Sequence, residues 1–203
     1  MKVGIINYES GNLFSIQKII KDLDYKVSII SQPSELKNFD KYILPGVGSF
    51  SKAMETIKKN KLIDEIQENI VQKKKMLLGI CLGMQILFDE GTEDGNTKGL
   101  NFLNGKVKNL ETLGCKLTLP HIGWNNIIIK KKHPIVKNIS NNTDFYFANN
   151  YVATCSDSIV ITISNYGVPI ISSIAKDNIW GVQFHPEKSS RGGKQLISNF
   201  LKY

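Results

Sequence analysis

The sequence predicts an α/β protein: a central, mostly parallel sheet flanked by helices, with additional antiparallel strands in the second half. Two observations carry that expectation. From residue 2 to residue 88, strand-like and helix-like apolar patterns alternate, as they do where parallel strands are joined by crossover helices. From residue 106 onward, short strand-like runs follow one another with little helix between them, until a last helical pattern closes the chain.

Taken in order, Lys2–Asn7 reads as a short apolar strand, followed by the turn Glu9-Ser10-Gly11-Asn12. Leu13, Ile16, Ile19, Ile20 and Leu23 recur at helical spacing, so Leu13–Leu23 is expected as a helix. Lys26–Ile30 is strand-like, Gln32-Pro33-Ser34 opens a connection, and Lys41–Leu44 is a strand ending at Pro45-Gly46-Val47-Gly48. Ala53–Gln72 reads as one long amphipathic helix, with Met54, Ile57, Leu62, Ile63, Ile66 and Ile70 on one side. Met76–Ile80 is an apolar strand and Cys81–Phe88 a helix. In the second half, Lys106–Leu110, Cys115–Leu119, Ile127–Lys130, Phe145–Tyr151, Ser158–Ile163, Ile170–Ala175 and Ile179–Gln183 are expected as strands, and Gly192–Leu201 as the closing helix. No proline- or glycine-rich linker and no internal repeat divides the pattern, so a single domain over residues 1–203 is expected.

Composition narrows the function classes. With 41% hydrophobic and 22% charged residues the chain has ordinary globular composition. No apolar run reaches the roughly 18 residues of a membrane helix, and Met1–Ile6 is too short for a signal peptide; a cytoplasmic protein with no membrane partner is expected. Three cysteines without a CxxC or a His/Cys cluster argue against a disulfide framework and against a metal site. The net charge of +8 is concentrated in Lys58-Lys59, Lys73-Lys74-Lys75 and Lys130-Lys131-Lys132. None of these is interleaved with stacking aromatics, so they read as solvated lysine faces rather than a nucleic-acid site. The charge suits anionic substrates or an acidic partner surface.

The strongest local signal is Gly79-Ile80-Cys81-Leu82-Gly83-Met84-Gln85, where a buried strand runs into a cysteine flanked at two residues on either side by glycine, and a helix follows. This is the cysteine form of a nucleophile elbow, a strained strand-to-helix turn that projects the nucleophile above the sheet. A helix N-terminus behind the sulfur favours the thiolate. Cys115 and Cys155 lack flanking glycines and read as small buried hydrophobes. A thiolate needs a base, and there are three histidines. His185 follows the strand Ile179–Gln183, with Glu187 two residues on and Pro186 stiffening the link. Residues two apart in extended chain project to one side, so Glu187 can orient and charge the imidazole. His133, beside the lysines and before a proline, reads as a solvent-exposed turn; His121 has no acid near it in sequence and reads as structural or interface-forming. The turn Pro45-Gly46-Val47-Gly48 also ends a strand, and its backbone amides suit an oxyanion hole.

Taken together, Pro45–Gly48, Gly79–Gln85 and Gly181-Val182-Gln183-Phe184-His185-Pro186-Glu187-Lys188-Ser189 resemble the triad-type, class I glutamine amidotransferases. With Asn7-Tyr8, Gly11-Asn12-Leu13, Pro120-His121-Ile122-Gly123-Trp124-Asn125 and Phe145-Tyr146-Phe147, the resemblance narrows to the HisH-type glutaminase subunits of imidazole glycerol phosphate synthase, over essentially the whole chain. It implies the class I amidotransferase fold and a glutaminase without metal or organic cofactor. Cys81 would attack the carboxamide of L-glutamine, His185 would protonate the departing ammonia, and Glu187 would orient His185. The amides of Val47, in the turn that also holds Gly46, and of Leu82, after the cysteine, would be oxyanion donors. Gly48, Gln85 and Asn149-Asn150-Tyr151 would hold the α-groups of glutamine.

Ammonia would pass to a HisF-type (β/α)₈-barrel synthase, with Asn12, Trp124 and Lys188 at the partner interface. The resemblance also implies weak activity until the partner and its ligand are bound, and the two glycines of Pro45–Gly48 permit a peptide flip on activation. The chain departs from the family pattern twice. Asn149-Asn150 stand where the family has His-Ser or His-Thr, and Phe14 stands where it often has arginine. These departures leave open a paralogous subunit that supplies ammonia to a sugar-modifying amidotransferase for surface polysaccharide or flagellin glycans.

Overall fold

The computed structural model describes residues 1–9 and 11–203; Ser10, in the expected turn Glu9–Asn12, lies outside the described residues. The first half follows the alternating pattern: β1 (Lys2–Ile6), α1 (Leu13–Lys21), β2 (Lys26–Ile30), β3 (Lys41–Leu44), α2 (Phe50–Lys59), α3 (Ile63–Ile66), β4 (Met76–Ile80) and α4 (Leu82–Gln85). Then come β5 (Phe88–Gly91), β6 (Thr97–Lys98), β7 (Leu103–Asn109), β8 (His121–Asn126), β9 (Ile128–Ile129), β10 (Asp144–Asn149) and β11 (Tyr151–Cys155). The chain ends with β12 (Val160–Tyr166), β13 (Val168–Lys176), β14 (Ile179–Val182) and α5 (Ser190–Lys202).

Among the described residues the main sheet has eight strands in the order β2-β1-β3-β4-β14-β13-β12-β9. The first five are parallel to one another; β13, β12 and β9 continue it antiparallel. Side chains alternate across the sheet. Val3, Ile5, Ile43, Leu78, Ile80, Trp180 and Val182 therefore enter one apolar cluster, and Ile6, Tyr42, Leu44, Leu77 and Ile179 the other. Two smaller sheets, β10-β8 and β11-β7-β5-β6, sit in the second half.

Four sequence expectations are corrected. The long helix over Ala53–Gln72 breaks after Lys59, because Asn60 ends α2 and Lys61 takes a left-handed φ of 54°; the apolar stripe survives because Ile57, Leu62, Ile66 and Ile70 are all buried, the last in a π-helical turn over Gln67–Gln72. The helix after Cys81 is a single turn, and the buried run Ile86-Leu87-Phe88 leads into β5. A short run buried on all sides carries no periodicity that separates helix from strand. Cys115–Leu119 is irregular, with Lys116, Leu117 and Thr118 exposed, and the strand instead starts at His121. The expected strand Phe145–Tyr151 is two, because the chain changes partners at Asn150: β10 pairs with β8 and β11 with β7.

Candidate active site

The carboxyl ends of three adjacent parallel strands meet at one edge of the main sheet, as ligand sites of such sheets do. From β3 comes the turn Pro45–Gly48, from β4 Cys81, and from β14 the segment leading to His185. Gly79 and Leu44 are paired, as are Ile80 and Val182, and the Cys81 amide donates to the Val182 carbonyl at 2.7 Å. Cys81 itself holds φ 53° and ψ −113°, a conformation that costs a non-glycine residue about 1–3 kcal/mol and persists only where the surroundings enforce it. The glycines supply that enforcement. A Cβ on Gly83 would lie 1.8 Å from the Leu44 carbonyl oxygen, and one on Gly79 would lie 2.7 Å from the Gly83 carbonyl oxygen. Only glycine lets α4 sit this close to β3 and β4.

His185 is almost wholly buried and its Nδ1 meets Glu187 Oε1 at 2.8 Å. Its backbone is tied down by its own amide to the Tyr146 carbonyl, at 2.8 Å, and by Ser189 Oγ donating to its carbonyl, at 2.6 Å. Burial by itself disfavours the charged ring, but hydrogen bonds to Cys81 and Glu187, and their charges, outweigh it and raise the imidazole to about 10. His185 is thus imidazolium at neutral pH. Cys81 is 5% exposed and shares a cavity of about 520 Å³ with His185, Val47, Gly48, Leu82, Gln85, Asn149, Asn150, Tyr151 and Lys188.

The structure therefore brings together the three residues of the predicted triad and all but one of the predicted substrate-binding residues. The exception is Gly46, which is buried: a Cβ there would lie 2.3 Å from Tyr8 Oη and 2.8 Å from Leu82 Cβ. It packs the foot of the turn and leaves the lining to its neighbours. Asn149 and Asn150 line the cavity, and the Oδ1 of each is buried without a hydrogen-bond partner among the described residues.

Glu93, missed in the sequence, also lines the cavity and accepts from the Phe50 amide at 2.7 Å. Burial raises its carboxyl, partly countered by that amide. No local pattern marks Glu93, which lies in the loop between β5 and β6. Gln85, expected to hold substrate, has its amide nitrogen committed to the Tyr151 carbonyl and to Gln183 Oε1, at 2.8 and 3.0 Å.

The residues expected at an interface sit around the cavity. Trp124 is 55% exposed and meets Tyr146 edge-on, and Lys188 Nζ lies 5.5 Å above the Tyr146 ring. Asn12 does something further: its Nδ2 donates to Glu187 Oε1 at 2.9 Å. It stands at the N-terminus of α1 in a left-handed conformation and makes no side-chain cap there, although asparagine is a favoured cap. His121 is buried between Phe147 and Tyr166, and burial lowers it to about 4, so it is neutral. His133 does sit at a turn, but half-buried and edge-on to Trp180 rather than solvent-exposed. A larger groove of about 770 Å³, lined by Lys132, His133, Lys137 and Lys202 among others, shares no residue with the cavity at Cys81 and contains no cysteine. Among the described residues no helix is long and apolar enough to cross a membrane, and no group of three His, Cys, Asp or Glu could hold a metal ion.

Comparison with known proteins identifies the family. The family model described as glutamine amidotransferase class-I matches residues 5–203. The chain is 40% identical, over all of its length and 95% of the relative's, to the imidazole glycerol phosphate synthase subunit HisH 2 of Vibrio vulnificus. It is 38% identical to subunit HisH of Bacillus velezensis, covering 98% of this chain and 95% of that one. Among solved structures, PurLQS from Thermotoga maritima superposes with a TM-score of 0.77 at 18% identity, covering 100% of this chain and 98% of that one. A crystal structure of a glutamine amidotransferase gives 0.76 at 17%, covering 98% and 97%. Fold, site geometry and full-length similarity lead to one conclusion: the chain belongs to the class I glutamine amidotransferase family.

Proposed function

We propose that the chain is the glutaminase subunit of an imidazole glycerol phosphate synthase, hydrolysing L-glutamine to glutamate and passing the ammonia to a HisF-type (β/α)₈-barrel subunit in histidine biosynthesis. The observation that carries this is Cys81 and His185 lining one cavity at the ends of β4 and β14, with His185 hydrogen-bonded to Glu187, in a chain 38–40% identical to curated HisH subunits over nearly their whole length. Those relatives favour histidine biosynthesis over the sugar-modifying pathway.

The arrangement accounts for each step. The Cys81 thiolate attacks the carboxamide carbon of glutamine, and the carboxamide oxygen takes up negative charge. Leu82 opens α4, so its N–H has no carbonyl one turn earlier to bond, and together with the Val47 amide it faces that oxygen. The His185 imidazolium gives its proton to the departing nitrogen, which leaves as ammonia with formation of a thioester. Neutral His185 then takes a proton from water as the water attacks the thioester, and glutamate departs with the thiolate and imidazolium restored. Glu187 holds Nδ1 throughout, so that Nε2 is the atom that exchanges protons. Glu93, with Asn149 and Asn150 beside it in the lining, receives the α-groups of glutamine; asparagine can hydrogen-bond either of them.

Phe14, Ile122 and Trp124 are large apolar side chains left exposed, and they suit a face covered by the barrel subunit. The test is glutamine hydrolysis by the purified chain, alone and with a HisF-type barrel and its nucleotide substrate. Strong stimulation by that pair is expected; stimulation only by a sugar-modifying synthase would move the chain to another pathway with the same triad.

A further inference from the structure

The triad leaves one buried polar chain unexplained. Gln183 is wholly buried. Its Nε2 donates to Cys81 Sγ at 3.6 Å, and its Oε1 accepts from Gln85 Nε2 at 3.0 Å. Gln85 Nε2 also donates to the Tyr151 carbonyl at 2.8 Å. This order fixes which end of each amide is which. A backbone carbonyl only accepts, so the end of Gln85 that faces Tyr151 is its nitrogen. The same nitrogen faces Gln183, which must answer with its oxygen, and the Gln183 nitrogen is thereby left pointing at the sulfur. Turning Gln183 over would set two donors against each other at one end and an oxygen against a thiolate at the other.

We infer that Gln183 is a further catalytic residue, whose amide N–H stabilises the Cys81 thiolate, and that Gln85 is the positioning residue that orients it. The inference rests on the reading of Cys81 as nucleophile. An N–H bonded to an ionised acceptor in a dry site is worth more than one in water. It also complements His185. The imidazolium gives its proton away when ammonia leaves, whereas an amide does not titrate. Gln183 therefore remains on the sulfur through the thioester stage and eases departure of the thiolate when water attacks.

The experiment is the pH dependence of iodoacetamide alkylation at Cys81, resolved from Cys115 and Cys155 by peptide mass, in the full chain and in Gln183→Met, Gln183→Glu and Gln85→Met. In Gln183→Met the pH of half-maximal alkylation should rise by about one unit, the tenfold loss expected when one bond to a charged acceptor is removed. Gln183→Glu keeps the size and the acceptor for Gln85 but sets a carboxylate beside the sulfur, so its rise should be larger. Gln85→Met leaves the N–H in place without its guide, so its rise should be smaller. In glutaminase assays of the complex, kcat should fall by about tenfold with KM little changed, since Gln183 touches sulfur and is absent from the lining of the substrate cavity. A packing defect alone would lower the melting temperature without moving the alkylation profile.

Unchanged profiles in the folded Gln183 variants would overturn the inference. If neither Gln183 variant folds, the Gln85→Met profile decides in the same way. No alkylation of parental Cys81 at any pH, or no glutaminase activity in the parental complex, would instead overturn the nucleophile reading.

Discussion

On the wall of the cavity built from β4 and β14, Cys81 and His185 are buried, with Gln183 behind the sulfur and Glu187 behind the imidazole, each hydrogen-bonded to its neighbour. On the wall built from the turn after β3, Val47 is 43% exposed, and Gly48, at φ 107°, has nothing within 4 Å of where a Cβ would be. The first wall is fixed before any ligand arrives, which is what a nucleophile and its base require. The second has open space at Gly48, and it carries the amide expected to face the oxyanion. The contrast separates the part proposed to perform bond cleavage from the part suited to regulating it.

The largest effect expected of any change falls on the fixed wall. Cys81→Ala should lower glutamine hydrolysis by at least about four orders of magnitude, while the complex continues to use added ammonium; steady-state assays with each nitrogen source check both halves. Glu187→Gln should cost on the order of 10⁴-fold in kcat, because the imidazole loses its orienting charge. The same variant tests the pH dependence of stability. His185 is raised to about 10, so its contribution is fully present below the usual imidazole value near 6.5 and is lost as pH rises from there to about 10. Melting temperature should therefore fall over that window in the parent and fall less in Glu187→Gln.

Asn12→Ala should reduce glutaminase activity by roughly tenfold, the value of one hydrogen bond to a charged group, and Asn12→Asp should do worse by placing a second carboxylate against Glu187. Equal activity in both variants and the parent would confine Asn12 to the surface. The smallest effects come from the glycines, and their contrast tests the two walls directly. Gly83→Ala should cost about 3 kcal/mol and lower the melting temperature by roughly 6–12 °C, since its Cβ would meet the Leu44 carbonyl. Gly48→Ala should cost only the left-handed strain, about 1–2 kcal/mol, and show itself in a several-fold fall of kcat.

The sequence made the parallel half of the sheet and the triad legible, for physical reasons. Strands buried on both faces read as continuous apolar runs, and the elbow needs glycine at Gly79 and Gly83 whatever else changes. The rest was hidden where the usual rule is inverted. In β8, His121 is buried while Ile122 and Trp124 point outward, so alternation favoured the wrong segment, Cys115–Leu119. Glu93 reaches the cavity through a loop, and only the fold brings it there. Gln183 was within reach: it stands two residues before His185 at the end of a strand, the same spacing that gave Glu187 its role.

The turn after β3 is pinned at both feet. At one, the Pro45 carbonyl accepts from Tyr8 Oη and Gly46 is packed against Leu82 and Gly83; at the other, the Phe50 amide is held by Glu93 and its ring is buried. Between them lie Val47, Gly48 and Ser49, and the Ser49 carbonyl accepts from the Ala53 amide at 3.1 Å. A rearrangement of three loop residues takes nanoseconds to microseconds, far less than a turnover at typical enzyme rates of roughly 1–10³ per second. Activation through this turn would therefore bring no lag. It would appear as a change in the fraction of molecules carrying the working conformation, and that fraction in the free subunit sets a ceiling: a conformation held one-hundredth of the time leaves room for roughly hundredfold stimulation and no more.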